Sequence, residues 1–400
     1  MTAAKDVWKN KALSIFAVAS IATSLVFYTP ISAVFLYDRG LTYSQIFTLE
    51  SILLVSILLI EIPSGILADH IDRRIPIIVG FCLNFVADTL FALSSSFTGF
   101  AISYIFSGLS IALLSGITEA FVYESIGDNA DQKATGVFGH FSFLELIAGV
   151  LSTVVGSLLA QIDISYPAYL TAAFSLFAVF VTLRLPSHIP HGASSEDINI
   201  FSDFKKGFKL LFGSPLLMFV CIGASASYVL FNSVYTINQP LYQISKIPMI
   251  AWGIINAAAL IIAAIYNFFA DKIENKLGRK KALFIAMFIG ALGFIFLAVP
   301  IPVMSVIGFF MVIVGMNGRG PVTSAVVNKL IPSDLRSTVL NIASSAGSVI
   351  GVLINPMIGF LVDYNVIITA LVIAAVICVI AFSWLPIADR YLVYEGETSE

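Results

Sequence analysis

The chain has 400 residues, of which 58% are hydrophobic and 11% are charged, and its mean hydropathy is +0.97. Soluble domains carry about 25% charged residues, so this composition excludes a soluble globular protein and indicates a polytopic membrane protein. The formal net charge of -3 excludes little, because the location of charges along a membrane protein matters more than their sum.

Twelve apolar segments, separated by charged residues, prolines and glycines, follow one another along the chain. Each approaches the roughly 20 residues that a helix needs to cross a bilayer. The sequence therefore predicts an all-α polytopic membrane protein with twelve transmembrane helices. The predicted spans cover residues 13–35, 44–68, 75–95, 98–122, 135–160, 166–185, 215–237, 249–270, 282–301, 303–327, 337–361 and 366–386.

The distribution of lysine and arginine predicts the orientation of these spans. If the N-terminus is cytoplasmic, eighteen of the 21 basic residues fall on the cytoplasmic side. Arg39 and Lys246 fall on the opposite side, and Arg319 falls within a span. Because cytoplasmic loops carry an excess of basic residues, both termini are predicted to be cytoplasmic.

The longest polar stretch, Pro186–Ser214, divides the chain in two. We predict an N-terminal six-helix half at 1–186, a cytoplasmic linker at 187–214, and a C-terminal six-helix half with a tail at 215–400. Within the linker, Phe201–Phe212 combines basic and aromatic residues at helical spacing, which is typical of an amphipathic interfacial helix. A short basic connection follows the second span of each half. Two repeated six-helix halves indicate a secondary transporter.

Three stretches resemble the major facilitator superfamily, and specifically its bacterial exporter-like members. Gly65–Arg74 is similar to the signature loop between helices two and three, except that Asp72 stands where glycine is usual. Ser115–Ser125 is similar to a recurring end of helix four, and Arg319–Thr338 to the junction of helices ten and eleven. The resemblance implies alternating access in the bacterial cytoplasmic membrane. It also implies a cytoplasmic gate formed by Gly65, Asp69, Arg73, Arg74, Glu124 and Arg336.

Two departures from drug/proton antiporters of the superfamily favour other modes of transport. Those antiporters usually carry an arginine in helix four, where this chain has Tyr104, four residues before Gly108. They also carry a Gly-Pro pair late in helix five, whereas the stretch from Gly149 to Gly156 contains no proline. Both departures point towards uptake or facilitated transport of a small polar nutrient as the alternative function.

Acidic residues within the predicted spans are candidates for proton coupling, because a charge at the bilayer centre costs roughly 3 kcal/mol or more. Each also has a structural interpretation. Glu61 could pair within the gate, Asp88 could bond to a neighbouring helix, and Glu119 could form an ion pair with Arg73 or Arg74. The full candidate set is Glu50, Glu61, Asp88, Glu119 and Glu145.

The resemblance places the substrate cavity among helices one, four, seven and ten. Arg319 is the one basic residue in the interior of a predicted span, and it lies between two glycines. It either binds an anionic group of the substrate or pairs with an acid on another helix. Uncharged polar side chains on the same four helices complete the cavity candidates: Tyr28, Tyr104, Asn232, Tyr235 and Asn238.

The sequence carries no nucleotide-binding loop, no hydrolytic triad and no Cys/His cluster. We therefore expect no enzymatic activity, no cofactor, no metal and no nucleic-acid partner, with the proton motive force as the energy source. The predicted function is proton-coupled export of a small organic or amphipathic compound by a monomer in the lipid bilayer. Nutrient uptake is the first alternative, and a lipid flippase or a non-transporting receptor is less favoured.

Overall fold

A computed structural model describes residues 2–70, 72–115, 117–127, 130–187, 215–330 and 336–364, with the single residues 209, 213 and 371. Side chains are described in these ranges except at 2–3, 61–70, 131, 215–228, 230, 271, 279–280, 283, 318–330 and 336–346. The described ranges form helices joined by short turns and contain no strand.

The helices are numbered in chain order. They are α1 Thr2–Lys9, α2 Lys11–Ser24, a 3-10 turn Thr29–Ile31, α3 Ser32–Asp38, α4 Tyr43–His70, α5 Arg74–Leu93, α6 Phe97–Leu114, α7 Ile117–Ile126, α8 Ala130–Ala160, α9 Tyr166–Thr182, α10 Pro215–Ile244, α11 Met249–Leu277, α12 Arg279–Leu297, α13 Pro302–Leu330 and α14 Arg336–Asp363.

These helices confirm the predicted fold class, an all-α polytopic membrane protein. Six described segments are long and apolar enough to cross a membrane, and four shorter apolar helices accompany them. Eleven of the predicted spans coincide with described helices: span 1 combines α2 with α3, span 4 combines α6 with α7, and the others are single helices. The twelfth span, 366–386, and the amphipathic stretch Phe201–Phe212 lie outside the described residues, apart from positions 209 and 371.

Two predicted spans are interrupted, where the sequence had suggested continuous helices. Span 1 leaves the helix after Ser24 and resumes at Thr29. Pro30 explains this break, because proline lacks a backbone donor and its ring clashes with the carbonyl four residues earlier. Span 4 breaks after Leu114, where Ser115 takes an extended ψ of 136°. Each break changes the direction in which the following side chains point.

The helices divide into two compact units. The first unit comprises Met1–Ser195 with Pro248–Leu260, and the second comprises Glu196–Ile247 with Ile261–Glu400. In the first unit, α6 packs on α4 and α5, α5 packs on α9, α9 packs on α2, and α2 packs on α8. The unit is therefore built around spans 1, 3, 4 and 6, which surround its polar interior.

One end of the first unit is closed by an apolar core. The ring of Phe16 lies 5.6 Å from that of Phe141, 5.8 Å from that of Phe121 and 6.4 Å from that of Phe81, measured between centroids. These rings come from α2, α8, α7 and α5. Asn10 caps α2 at the same end, because its side chain accepts hydrogen bonds from the amides of Ala12 and Leu13. This end of the unit is therefore fixed by both packing and capping.

In the second unit, α10 packs on α13 and α14, while α12 and α13 pack along much of their length. Glycines allow the second contact to be close. A Cβ atom added to Gly293 would lie 2.8 Å from the carbonyl oxygen of Gly308 and 2.8 Å from the amide nitrogen of Val312. Small residues that let backbones approach are the usual basis of helix association in membranes.

Gly293→Val is expected to destabilise the second unit, because its side chain would meet backbone atoms of α13 that have no room to yield. Overpacking of this kind costs about 1–3 kcal/mol. Thermal unfolding in detergent measures the effect. Gly139→Val is the matched control, since nothing lies within 4 Å of a Cβ at Gly139. Equal melting temperatures for the two variants would contradict the close contact.

Candidate functional site

Asp88 lies in the interior of the first unit, where hydrogen-bond donors surround its carboxyl group. The residue is 6% exposed. The Tyr28 hydroxyl donates to Oδ1 over 3.1 Å, and the Asn84 amide donates to Oδ2 over 3.0 Å. The Ser175 hydroxyl also donates to Oδ2. Donors from span 1, α5 and α9 thus meet on one buried acid, which confirms the interpretation that Asp88 bonds to neighbouring helices.

Glu50 and Tyr104 extend this polar cluster towards α4 and α6. Glu50 on α4 lies within electrostatic range of Tyr28 and of Tyr104 on α6. Asp88 lies five residues before the end of α5, and Glu50 and Tyr104 lie seven residues after the starts of α4 and α6. At a rise of 1.5 Å per residue, all three sit roughly 7–10 Å from the same end of the unit.

Aromatic rings separate the cluster from that end of the unit. Phe91 stacks on Tyr28 with centroids 4.3 Å apart and on Phe35 with centroids 5.2 Å apart. Above them, the Arg39 guanidinium lies 4.9 Å from the centre of the Phe35 ring. Its two terminal nitrogens donate to the carbonyl of Ser94 and the hydroxyl of Ser165. The acids are thus covered by an aromatic layer on this side.

The break in span 1 lies directly beside this cluster and is held by other helices. The amide of Phe27 donates to the Thr171 hydroxyl on α9 over 2.9 Å. The carbonyl of Phe27 lies against Gly156 on α8, at the place that a Cβ atom would occupy. Non-helical backbone inside a membrane requires such partners, because lipid offers none. Gly156 therefore leaves the room in which the broken part of span 1 packs on α8.

The other acidic candidates are not brought into the cluster. Glu119 on α7 and Glu145 on α8 are exposed side chains. Glu145 shares its face of α8 with Ser152 and Gly156, which are buried. The side chain of Glu61 lies outside the described part of α4.

The loop between α4 and α5 is tied to three other segments. Arg73, which is 8% exposed, pairs with Glu124 on α7 at 2.7 Å. The Arg74 guanidinium donates to the carbonyl of Leu183 over 2.9 Å, and Ser187 donates to the Asp72 carboxylate over 2.6 Å.

The alternative pairing of Glu119 with either arginine is therefore not what the structure contains. Three predicted gate residues lie outside the positions whose side chains the structure describes: Gly65, Asp69 and Arg336.

Glu124→Gln is expected to lower the melting temperature of the detergent-solubilised chain, because it leaves the nearly buried Arg73 beside a neutral partner. Breaking a fully buried pair costs about 3–5 kcal/mol. The Glu124 side chain is 29% exposed, so solvent screening reduces the expected loss to about 1–2 kcal/mol. Glu119→Gln on the same helix is the control and should melt like the wild type. Equal destabilisation by both substitutions would refute the assignment of the pair.

Polar candidates of the C-terminal half occupy different surroundings within the second unit. Asn238 is fully buried, the ring of Tyr235 lies 5.7 Å from that of Phe309 on α13, and Asn232 is exposed. Tyr235 and Asn238 thus lie within the packed part of the second unit, whereas Asn232 is an exposed position on α10. The side chain of Arg319 lies outside the described part of α13.

Several residues of the cluster escaped sequence reasoning. Asn84 carried a usable signal, because it lies four residues before Asp88 and so shares its helix face. Ser175 and Thr171 carried none, since small hydroxyl residues are scattered through most of the spans. The described residues contain no group of three or more histidines, cysteines or acids that could hold a metal ion.

The helical architecture and the buried polar cluster define a class of protein, the multi-pass membrane transporters. A family model described as Major Facilitator Superfamily matches residues 12–340 and 246–397. The chain belongs to this superfamily, as its motifs had suggested, and it is a secondary transporter and not an enzyme.

The relatives reported below share a low sequence identity with this chain. The chain is 24% identical over 228 residues to the quinolone resistance protein NorA of Staphylococcus aureus, a match that covers 56% of this chain and 58% of NorA. The match thus spans less than two thirds of that relative. Among solved structures, the nucleoside transporter NupG superposes with a TM-score of 0.80 at 17% identity, covering 94% of this chain and 98% of NupG. A D-xylose-proton symporter superposes with a TM-score of 0.68 at 14% identity, covering 92% of this chain and 97% of the symporter.

Proposed function

We propose that this transporter exports a small organic or amphipathic compound in exchange for protons, and that Glu50 and Asp88 carry the proton coupling. The observation that carries the proposal is the polar cluster in which the Tyr28 hydroxyl donates to the buried Asp88 and lies within electrostatic range of Glu50. Coupling requires an intramembrane acid that changes its charge when its access to water changes.

The two acids are suited to different parts of this task. Asp88 accepts hydrogen bonds from three side chains, which satisfy the acceptor atoms of an ionised carboxylate. Glu50 is half-buried and lies within electrostatic range of Tyr28 and Tyr104. In the proposal, Glu50 takes up and releases the transported proton, while Asp88 holds the donors around it when ionised and loosens them when it is protonated.

Export is favoured by sequence similarity. One relative, NorA, is named as a quinolone resistance protein, and the ends of spans 2, 4 and 10 resemble those of exporters. Quinolones are amphipathic aromatic compounds, so the substrate is proposed to belong to that chemical class. The chain is further proposed to act as a monomer in a bacterial cytoplasmic membrane with both termini cytoplasmic, and the loop network of Asp72, Arg73 and Arg74 to act as a cytoplasmic gate.

A proteoliposome assay tests the proposal. The purified chain is reconstituted with a pH-sensitive dye inside, and gradients of a quinolone, a nucleoside and a pentose are applied in turn. Proton movement opposite to the quinolone, collapsed by a protonophore, is the expected result. If no compound of the panel produces substrate-dependent proton movement, proton coupling is rejected.

Uptake of a small polar nutrient is the second candidate. It is favoured by Tyr104, which stands where the drug/proton antiporters carry an arginine. The folds of NupG and the D-xylose-proton symporter are compatible with it. The same assay separates the two candidates, because uptake predicts that protons move in the same direction as the nucleoside or pentose and that the quinolone has no effect.

A further inference from the structure

The break in span 1 is anchored by two side chains of different chemistry. Phe27 is anchored through its backbone to the neutral hydroxyl of Thr171 over 2.9 Å. The next residue, Tyr28, is anchored through its side chain to the Asp88 carboxyl group over 3.1 Å. The first anchor does not change with the charge of the interior, whereas the second depends on it.

The groups around Tyr28 determine which changes of charge can alter its hydrogen bond to Asp88, the second anchor. The titratable groups facing it are Asp88 from α5, Glu50 from α4 and Tyr104 from α6. From α5 and α9, Asn84 and Ser175 face Asp88 with neutral side chains. Arg39, the charged residue above the aromatic layer, bonds to Ser94 and Ser165. A change of charge at the anchor therefore originates from the acids.

We propose that Tyr28 links protonation of Asp88 to the bend of span 1, so that the break between Ser24 and Thr29 acts as a proton-controlled hinge. Tyr28 is thus a positioning residue. This inference rests on the proposed function, because it assumes that protons reach the acid cluster during transport.

The chemistry of the hydrogen bond supports a hinge of this kind. An ionised carboxylate accepts hydrogen bonds roughly twice as strong as those accepted by a neutral group. When a proton from water binds to Asp88, the carboxyl group gains an O–H donor and becomes a weaker acceptor. Tyr28 is then held less firmly, while Phe27 keeps its bond to Thr171 and its contact with Gly156. The chain after the break can therefore swing relative to the chain before it.

A distance measurement between two spin labels reports the bend of span 1 directly. Spin labels are attached to cysteines introduced at Lys11 and Asp38, two exposed positions at opposite ends of span 1, after Cys82, Cys221 and Cys378 have been replaced by alanine. The positions are 27 residues apart, about 40 Å at 1.5 Å per residue, within reach of pulsed electron resonance. Distances are recorded for the full chain in nanodiscs, in acidic and in alkaline buffer.

The wild-type distance distribution is expected to shift between the two buffers. Asp88→Asn should give the distance distribution of the acidic buffer in both buffers. Tyr28→Phe, which removes only the hydroxyl, should show no shift between the buffers. Ser103→Ala is the control, because it deletes a buried hydroxyl that bonds to the carbonyl of Ala87 over 2.7 Å without touching Asp88; it should shift like the wild type. An unchanged wild-type distribution, or a wild-type shift in Tyr28→Phe, overturns the hinge.

Failure of the hinge is distinguishable from failure of the proposed function. The same preparations are assayed for substrate-dependent proton movement in proteoliposomes. Coupled proton movement without a pH-dependent distance leaves the proposed function standing and rejects the hinge. A pH-dependent distance that Tyr28→Phe removes, without coupled proton movement for any substrate, supports the hinge and counts against proton-coupled transport.

Discussion

Glu50→Gln is expected to reduce proton-driven substrate movement by roughly tenfold or more, a loss of at least about 1.4 kcal/mol in driving the coupled step. Glutamine preserves the size and hydrogen-bonding capacity of the side chain beside Tyr28 and Tyr104, but it cannot bind and release a proton. Exchange of labelled for unlabelled substrate across the same liposomes does not require net proton transfer and should be retained.

The controls for this result are two exposed glutamates that the sequence also offered as coupling residues. Glu119→Gln and Glu145→Gln remove the same charge from exposed positions on α7 and α8, and both should retain proton-driven movement within about twofold. Loss of coupling in either control with full coupling in Glu50→Gln would move the proton site away from the buried cluster.

Gly156→Ala is expected to be the most damaging substitution of a single small group in the first unit. The added methyl group would occupy the position of the Phe27 carbonyl, and backbone at the break in span 1 cannot move aside without losing the bond to Thr171. Overpacking costs about 1–3 kcal/mol and sometimes more. We therefore expect a lower melting temperature in detergent and a smaller yield of monodisperse protein.

Gly149→Ala tests whether this effect belongs to the contact or to the helix face. Gly149 lies on the same face of α8, and its added Cβ would sit 3.4 Å from a methyl group of Leu260, an ordinary van der Waals contact. The variant should fold like the wild type or gain slightly from the higher helix propensity of alanine. Similar damage from both substitutions would show that Gly156 has no special contact.

The sequence predicted the spans well because apolar length and charge placement are local properties. It also predicted that Asp88 must face protein, since an unpaired carboxylate in lipid is too costly. It could not predict the partner, because Ser175 lies 87 residues away and shares its type with many other serines. Which side chain meets Asp88 is decided by the packing of α5 on α9, and no local pattern encodes that.

The Arg73–Glu124 pair joins two residues of the predicted gate, whereas the alternative pairing of Glu119 with Arg73 or Arg74 is wrong for a related reason. Glu119 lies near the end of span 4 and Glu124 just beyond it, and the five residues between them correspond to about 140° around a helix. The break after Leu114 resets the phase of α7 relative to α6, so a continuous helix gives the wrong face. The structure turns Glu124 towards Arg73 and leaves Glu119 exposed.

The ribosome synthesises the residues that donate hydrogen bonds to Asp88 at different times. Tyr28 and Asn84 precede Asp88 in the chain, whereas Ser175 follows it by 87 residues. At ~5–20 residues per second, the ribosome needs about 4 to 17 seconds to make that interval. During this time span 3 enters the membrane with a carboxyl group whose partner on span 6 does not yet exist. Until span 6 is made, Tyr28 and Asn84 are the donors that the growing chain offers to Asp88, so the set of donors is completed only with the last span of this half.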